Sequence, residues 1–540
     1  MGKQKWNNRI CAKAAVALLL SVSFPFHAAA AKMPRDYVKA ATYVSDAWVI
    51  NFWNTESDHM EEELAQIAAD GFNSIILVIP WREFQPETNP VSYNDYAFRK
   101  LGRVMEAAGE QGLWVSLRIS YTWDYYEEEE ALIRFRELLG NDKLRAAWLK
   151  YVETVYQTAS EYDNFCGGFV TWEDFWNYME NAGSFGSGKK SVKEAERIGF
   201  QDYLKEHYSL ERINELYEPR ELFQDYKEIY IPPRNNPGYK LLYEYYDVFL
   251  IGLLEDAQQV FPNLSMEVRL DVDPVENGKG GQIGANHFKT FPCQNADYTS
   301  LMYSVAMGQE NQGEQITAEQ AISTMRKELD LVKAFNDSKP IFIDQLLYMD
   351  ATEEFSQNAR LYEEERNVFL LELPGVLRKY TNGYAVWSYR NYTNNPVYNC
   401  QFALNGRGWD TSRARAVEHN GSNQMKLQRS GHISQKIGTR ITGKLTHDNH
   451  VRFTADSEEP VTVAVKLGGV TKEVQVHGEK EFDLNFGRLF YDEVRFEARD
   501  EVYLDNIEVY NFVQDGQLYD IDGEELSSIN AMRTLNRMMD

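Results

Sequence analysis

The sequence predicts a (β/α)8 barrel followed by a small antiparallel β-sandwich, and three observations lead there. Short, nearly continuous apolar runs alternate with longer amphipathic ones from about residue 43 to 390. Two of the amphipathic runs end in AADG and AAGEQG, where glycine supplies a left-handed cap before the next strand. Beyond residue 424 the pattern changes to short β-rich segments separated by turn residues at regular spacing, the signature of an antiparallel sandwich.

The expected barrel strands are DAWVINFW (46–53), FNSIILVIPW (72–81), LWVSLRIS (113–120), CGGFVTWED (166–174), LSMEVRLD (264–271), DYTSLMYS (297–304), KPIFIDQLLY (339–348) and GYAVWSYR (383–390). A parallel strand is covered on both faces, so each run is apolar throughout instead of alternating. A doubly wound open sheet shares the alternation of strand and helix, but no glycine fingerprint follows the first strand. The barrel is placed at residues 40–412. Its long stretch at 180–260, rich in Tyr, Glu and Arg, reads either as a wall of the catalytic face or as helical decoration. RARAVEHNGSNQ (413–424) is expected to be a linker, 425–512 the sandwich, and 513–540 a helical tail. DIDGEE in that tail lacks the ligand spacing of a calcium loop, with Leu518 and Ile529 at the terminal ligand positions.

At the amino terminus, Lys3, Lys5, Arg9 and Lys13 precede AAVALLLSVSFPF and the small residues of HAAAAK. Residues 1–31 therefore read as a signal peptide, the apolar run being shorter than the roughly 20 residues of a membrane span. The mature protein is expected to be secreted or periplasmic, with no membrane span. Loss of that segment leaves Cys166, Cys293 and Cys400, too few and too scattered for a disulfide framework or a cysteine metal cluster. No cofactor is expected.

With 56 basic against 82 acidic residues, the net charge of −26 repels phosphate backbones and excludes nucleic acid as a natural partner. Aromatic residues form 13% of the chain, and flat rings stack on the apolar faces of sugars. A carbohydrate is the expected partner.

In a (β/α)8 barrel the residues leaving the carboxyl ends of the strands converge on one face. Here those ends supply Asn51 and Trp53; Trp81 and Glu83; Arg118, Tyr121 and Trp123; Trp172, Glu173 and Asp174; Glu267, Arg269 and Asp271; Tyr303; Asp344 and Gln345; Trp387 and Arg390. Carboxylates ringed by Trp and Tyr are what hydrolysis of a glycosidic bond requires. One carboxyl group protonates the leaving oxygen, a second attacks or activates water, and the rings hold the sugar. Glu173 stands between Trp172 and Trp176 just past a buried strand, and apolar neighbours are what keep an acid protonated. For each of Trp53, Trp81, Trp123 and Trp387, a place in the core is an equal alternative to a place under the sugar. Arg118 is expected to hold a carboxylate, catalytic or structural. His447 and His450 in THDNH read as a solvated turn.

Across residues 43–412 the order and spacing of these strands resembles the clan A (β/α)8 glycoside hydrolases, the cellulase-like and β-galactosidase-like retaining enzymes. FNSIILVIPWREFQPE resembles their second strand. GGFVTWED resembles their fourth, which implies an acid/base role for Glu173, with Trp172 where most of the group carries Asn. DYTSLMYS resembles the sixth, implying contact of Tyr303 with the nucleophile, and GYAVWSYRNY the eighth, implying Trp387 as the platform under the sugar. The resemblance implies a glutamate nucleophile closing the seventh strand. This sequence has Asp344 followed by Gln345. Three readings stay open: a β-bulge turns Asp344 inward to act as nucleophile or base; Glu267 or Asp271 acts instead; or the cleft binds sugar without cleaving it. Trp53, Trp81, Arg118, Trp172, Glu267, Tyr303, Gln345 and Trp387 are the expected substrate-binding residues, and Glu173 and Asp344 the expected catalytic pair. SGHISQKIG and VYLDNIEVYNF in the second unit resemble jelly-roll carbohydrate-binding modules.

Overall fold

Strands that are apolar on both faces leave no side for water, and in this chain they close on themselves. The computed structural model describes residue 34 and residues 36–540, apart from 57–58, 122–129, 173–174, 176–177, 180–187, 220–221, 271–288, 307–312, 350–357, 438–447, 514–515 and the side chains of 130–133. The expected signal peptide falls outside the described residues. Eight parallel strands form the barrel: β1 (Val38–Thr42), β2 (Ser74–Pro80), β3 (Trp114–Tyr121), β4 (Phe165–Val170), β5 (Ser265–Val268), β6 (Thr299–Ser304), β7 (Ile341–Leu347) and β8 (Thr381–Val386). They hydrogen-bond in sequence order, and β8 pairs with β1 to complete the ring. Inside, Val38, Ala40, Ile76, Phe169, Phe342 and Ala385 fill the lumen as a separate apolar cluster. The barrel is a packed core at its base, not a pore.

Seven strands fall where the apolar runs place them, and the first does not. VKAAT (38–42) forms β1, whereas DAWVINFW becomes a turn and a short 3-10 helix, Asn51–Asn54. Its hydrophobicity serves another purpose. Trp48, Val49 and Ile50 lie over the carboxyl ends of the strands, while Phe52 and Trp53 enter the layer between strands and helices.

The outer ring contains α1 (Met60–Ala69), α2 (Asp95–Glu110), α3 (Asp142–Ala159), α4 (Tyr239–Val260), α5 (Ala318–Phe335), α6 (Glu365–Glu372) and α7 (Pro374–Tyr380). Three further helices, within 189–217, precede α4 and make the long fourth connection largely helical decoration among the described residues.

No helix follows β8 directly. The chain instead leaves through β9 (Tyr392–Asn394), builds the second unit, and returns for α8 (Ile529–Met538), which packs on α6 and reaches β1 and β8. Lys39 of β1 donates to the Asn536 carbonyl, Tyr384 of β8 bonds the Asn536 side chain, and Asn536 Nδ2 donates to the Asp70 carbonyl at 2.9 Å. Ile529, Met532 and Leu535 belong to the same apolar cluster as the other barrel helices. The tail is thus the eighth barrel helix, and the sandwich is an insertion between the eighth strand and the eighth helix.

The second unit has β9 and β10 (Asp410–His419), β11 (Ser422–Lys436), β12 (Asn449–Asp456), β13 (Val461–Leu467), β14 (Val470–Val476), β15 (Lys480–Gly487), β16 (Glu493–Ala498) and β17 (Val502–Val513). The expected linker at 413–424 is instead most of the β10–β11 hairpin. Its turn is Asn420-Gly421, with φ of 49° and 88°, and His419 faces Ser422. Both central residues take positive φ, as a two-residue turn matched to strand twist demands. β11 pairs with β17 through Met425 and with β16 through Ile433, so it passes from one layer to the other at the kink between. Phe453 of one layer meets Phe496 of the other at 5.0 Å, and the alternation of buried and half-buried residues along β12 and β13 is that of a sandwich. His450 lies within β12, bonded to Asp483 at 2.9 Å, and is not in a turn; His447 is outside the described residues.

Three ionisable groups are buried at or near the junction of the units. Glu83 accepts from Asn54, and burial pushes it up to about 7 against the nearby Arg82, Arg134 and Arg407. Burial likewise raises Asp505 of β17 to about 7 and lowers Lys100 of α2, which donates to the Phe52 and Thr55 carbonyls, to about 7. A carboxyl group whose folded pKa is raised favours folding when protonated and loses that advantage as pH climbs from its unfolded value to its folded one. Glu83 and Asp505 are therefore expected to lower stability between about pH 4 and 7, on the order of 3 kcal/mol each. Lys100 acts oppositely above pH 7, where the unfolded chain binds its proton more firmly. Thermal melts across pH 4–10 should show the dip near neutrality that these groups create, and Glu83→Gln should make it shallower.

Candidate active site

The site grows from an irregularity in β7. Along β6, Leu301 pairs with Ile343 and Met302 with Gln345, so Asp344 has no partner and forms a bulge. Phe342 lies in the lumen, Ile343 and Leu346 in the outer layer, and Leu347 at the mouth. Simple alternation would send Gln345 outward; the extra residue turns both Asp344 and Gln345 to the inside.

Around them stand the ends of neighbouring strands. Arg118 of β3 forms an ion pair with Glu267 of β5 at 2.7 Å. Its guanidinium also donates to Gln345 Oε1 and to Thr171 Oγ1, each at 3.2 Å. Thr171 directly follows β4, so one arginine links the ends of β3, β4, β5 and β7 across the lumen. Glu267 is fully enclosed and Asp344 is 3% exposed, with the Ser300 hydroxyl beside its carboxyl group. Burial first, and then repulsion by the Glu267 carboxylate, push Asp344 well above the usual carboxylate range, while Arg118 and the Ser300 hydroxyl pull it back. Two carboxyl groups in one enclosure cannot both ionise cheaply, so the charge on Glu267 opposes ionisation of Asp344.

Over the other side of the mouth lies an aromatic cluster. Trp387, just past β8, is 8% exposed and meets the edge of Trp48 at 6.0 Å. Trp48 also packs on Tyr121 at 6.2 Å and on Tyr392 of β9 at 5.2 Å. Tyr398, from the segment entering the sandwich, completes the cluster and stacks on the Arg82 guanidinium at 4.1 Å. The run DAWVINFW carried the signal for Trp48, but its apolar character reads equally as a strand.

The structure brings Arg118, Glu267, Asp344 and Gln345 together and disperses several other expected residues. Trp53 is fully buried, donating to the Val78 carbonyl at 2.8 Å and packed against Phe52 and Phe84. Trp81 is also fully buried, bonded to Gln85 and walled by Phe135 and Tyr151. Neither ring has a face left for a sugar; both are core. Tyr303 pairs beside Leu346 and faces the outer layer, where burial and the Glu328 carboxylate of α5 raise its phenol. It therefore turns away from Asp344, and β6 presents Ser300 and Met302 inward instead. Trp172 is 5% exposed within the main apolar cluster. Arg390 bonds Glu63 and the Ile521 carbonyl, securing the start of the returning chain. Trp123, Glu173, Asp174 and Asp271 lie outside the described residues. Among the described residues no cluster of His, Cys, Asp and Glu could hold a metal ion, and no helix is long and apolar enough to cross a membrane.

No protein-family model and no curated protein matches the chain. Among solved structures it is similar to GH5_18 from Streptomyces cattleya in complex with GlcNAc, at 15% identity and a TM-score of 0.42, over 67% of this chain and 72% of that one. It is also similar to the exo-β-1,4-mannosidase Op5Man5 from Opitutaceae bacterium strain TAV5, at 11% identity and a TM-score of 0.41, over 69% of this chain and 56% of that one. TmCBM61 in complex with β-1,4-galactotriose matches 22% of this chain with 99% of its own, at 16% identity and a TM-score of 0.19. These likenesses are remote, and the barrel rests on its own strand order.

Proposed function

We propose that the protein is an exported glycoside hydrolase that cleaves O-glycosidic bonds of a β-linked poly- or oligosaccharide with two carboxyl groups. Glu173, following β4, is the general acid. Asp344 is its partner, as nucleophile or as base. The observation that carries this reading is the inward face of β7, where Asp344 stands buried toward the barrel axis beside the Arg118–Glu267 pair, at the catalytic end of such folds. Glu267 is committed to Arg118, so Asp344 is the member left to react.

The balance of charge follows from these residues. With one proton between Asp344 and Glu267, the pair carries one negative charge against one positive charge on Arg118. Arg118 thereby lowers the cost of ionising Asp344. Replacing Arg118 by leucine is expected to reduce turnover and move the acid limb of the pH–rate profile upward, because a raised carboxyl pKa rises further without the cation. A profile that falls in height without moving would show that Arg118 only supports the fold.

Hydrolysis is tested directly by presenting a panel of β-linked glycans to the purified protein and following the product anomers by NMR. Retention is expected if the two catalytic carboxyls stand about 5–5.5 Å apart, and inversion if they stand about 6.5–9.5 Å apart. One observation favours a second reading, a sugar-binding or assembly protein on a barrel that does not cleave: Gln345 is 8% exposed against 3% for Asp344. Saturable binding of a glycan that is never cut would establish it.

A further inference from the structure

Arginine only donates hydrogen bonds, so a side-chain amide that meets it has to turn its oxygen toward it and its NH2 away. Gln345 does this, with Oε1 at 3.2 Å from Nη1 of Arg118. The other arm of the same guanidinium serves different strands. Nη2 lies 2.7 Å from Glu267 of β5 and 3.2 Å from Thr171 just past β4, while Tyr121 receives the face of the group at 4.9 Å. One arm therefore reaches β4 and β5 and the other reaches β7. The contact on β7 is made by the residue next to Asp344.

An amide at this place differs from a carboxylate because of what else is enclosed. Arg118, Glu267, Asp344 and Gln345 are all buried. Asp344 is faced by Glu267 of β5 and the half-buried Arg269 past its end, by Arg118 of β3, and by Ser300 of β6 and the preceding Tyr298. Tyr384 of β8 faces the helices, bonded to Asn536. Glu267 offsets the charge of Arg118, so an ionised Asp344 adds a negative charge that this pair does not balance. A carboxylate at position 345 would bond arginine more strongly than an amide does. It would also be a third acid in the enclosure, and like charges there keep one another protonated.

We propose that Gln345 is a positioning residue: its side-chain oxygen holds the Arg118 guanidinium toward β7, where Asp344 stands, and its neutrality leaves that cation two carboxyl groups to balance and not three. Without the oxygen, the guanidinium settles toward Glu267 and Thr171. With an acid in place of the amide, its charge is divided further. The role assigned to Gln345 rests on the glycosidase reading only for the use Asp344 makes of its charge, and it can be measured without substrate.

Stability reports Asp344 directly. A carboxyl group raised in the folded state costs stability as pH climbs from its unfolded value, and the cost stops growing once pH passes its folded value. Melting temperatures of the full-length protein and of Asp344→Asn, followed across pH 4–10, should diverge and then run parallel, and the pH at which they become parallel marks Asp344. The same pair is then compared in two backgrounds: Gln345→Met, of similar shape without the amide, and Gln345→Glu, which keeps the shape and an oxygen. The mark is expected to move upward by about one pH unit with Met and further with Glu. For any glycan the protein cuts, the acid limb of the pH–rate profile should move with it, which a role in packing alone would not cause. A mark that stays in place in both backgrounds overturns the positioning role and leaves the hydrolase standing if a glycan is cut. Movement with Glu but not with Met overturns the anchoring by the oxygen. Movement in both, in a protein that cuts no β-linked glycan, supports the positioning role and overturns the hydrolase. Gln345→Leu replaces Gln345→Met if that variant fails to fold.

Discussion

Asp344→Asn is expected to abolish turnover without weakening the fold. A carboxyl group that reacts in the transition state contributes roughly 10²–10⁴-fold or more, and an amide of the same shape can neither attack nor take up a proton. Stability should move the other way. Asp344 is buried and is pushed toward its neutral form by burial and by the Glu267 carboxylate. Ionising it in the folded state is costly, and that cost grows as pH rises through its raised pKa. Asparagine cannot ionise, so the variant should melt at or above the wild-type temperature, with the larger difference at high pH. A structural carboxylate shows the opposite pairing: lower melting temperature and activity that follows it. Glu173→Gln is the companion variant, expected to lose turnover by a similar factor while retaining glycan binding. Full activity in either variant removes that residue from the chemistry.

The β7 bulge also marks where sequence reasoning meets its limit. Seven strands are legible because parallel strands covered on both faces must be apolar. β1 escapes that logic. Its alanines and Lys39 make VKAAT look unremarkable, and the stronger apolar signal a few residues later belongs to a segment that covers the mouth. The β10–β11 hairpin had a readable sign in Asn420-Gly421, which the charged residues around it disguise as a linker. An eighth helix separated from its strand by the whole second unit leaves no local sign at all.

Site residues divide along similar lines. Arg118, Glu267, Asp344 and Gln345 are polar residues inside otherwise apolar strands, and a buried charge in a strand has few explanations other than a partner across the lumen. Aromatic residues carry no such distinction. Trp53 and Trp81 follow strand ends just as Trp387 does, yet two lie under helices and one at the mouth. Tyr303 illustrates the register problem: with a period of two, one residue decides between axis and helix, and the neighbouring bulge shifts the count on β7 but not on β6.

Removal of the last fourteen residues, 527–540, is expected to unfold the barrel and not merely trim a tail. Ile529, Met532 and Leu535 are buried in the main core, and each contributes roughly 1.5–3 kcal/mol by leaving water. Their loss also uncovers the seam between β8 and β1, where the ring closes. Arg533 adds an electrostatic reason. Its Nε donates to Asp70 at 2.7 Å, and the Asp70 side chain is fully enclosed, accepting further bonds from Tyr389 at 2.6 Å and Tyr519 at 2.8 Å. Arg533→Ala leaves that carboxylate with hydroxyl partners but no counter-charge, at a cost of about 3 kcal/mol, the lower end for a broken buried pair because the hydroxyls remain. Against a total stability of about 5–15 kcal/mol, the single substitution should lower the melting temperature by several degrees and the truncation should prevent folding. Circular dichroism and thermal melts of both variants measure the difference. A truncated chain that melts cooperatively near the wild-type temperature would show that the barrel closes without its eighth helix, and that the sandwich follows the barrel instead of interrupting it.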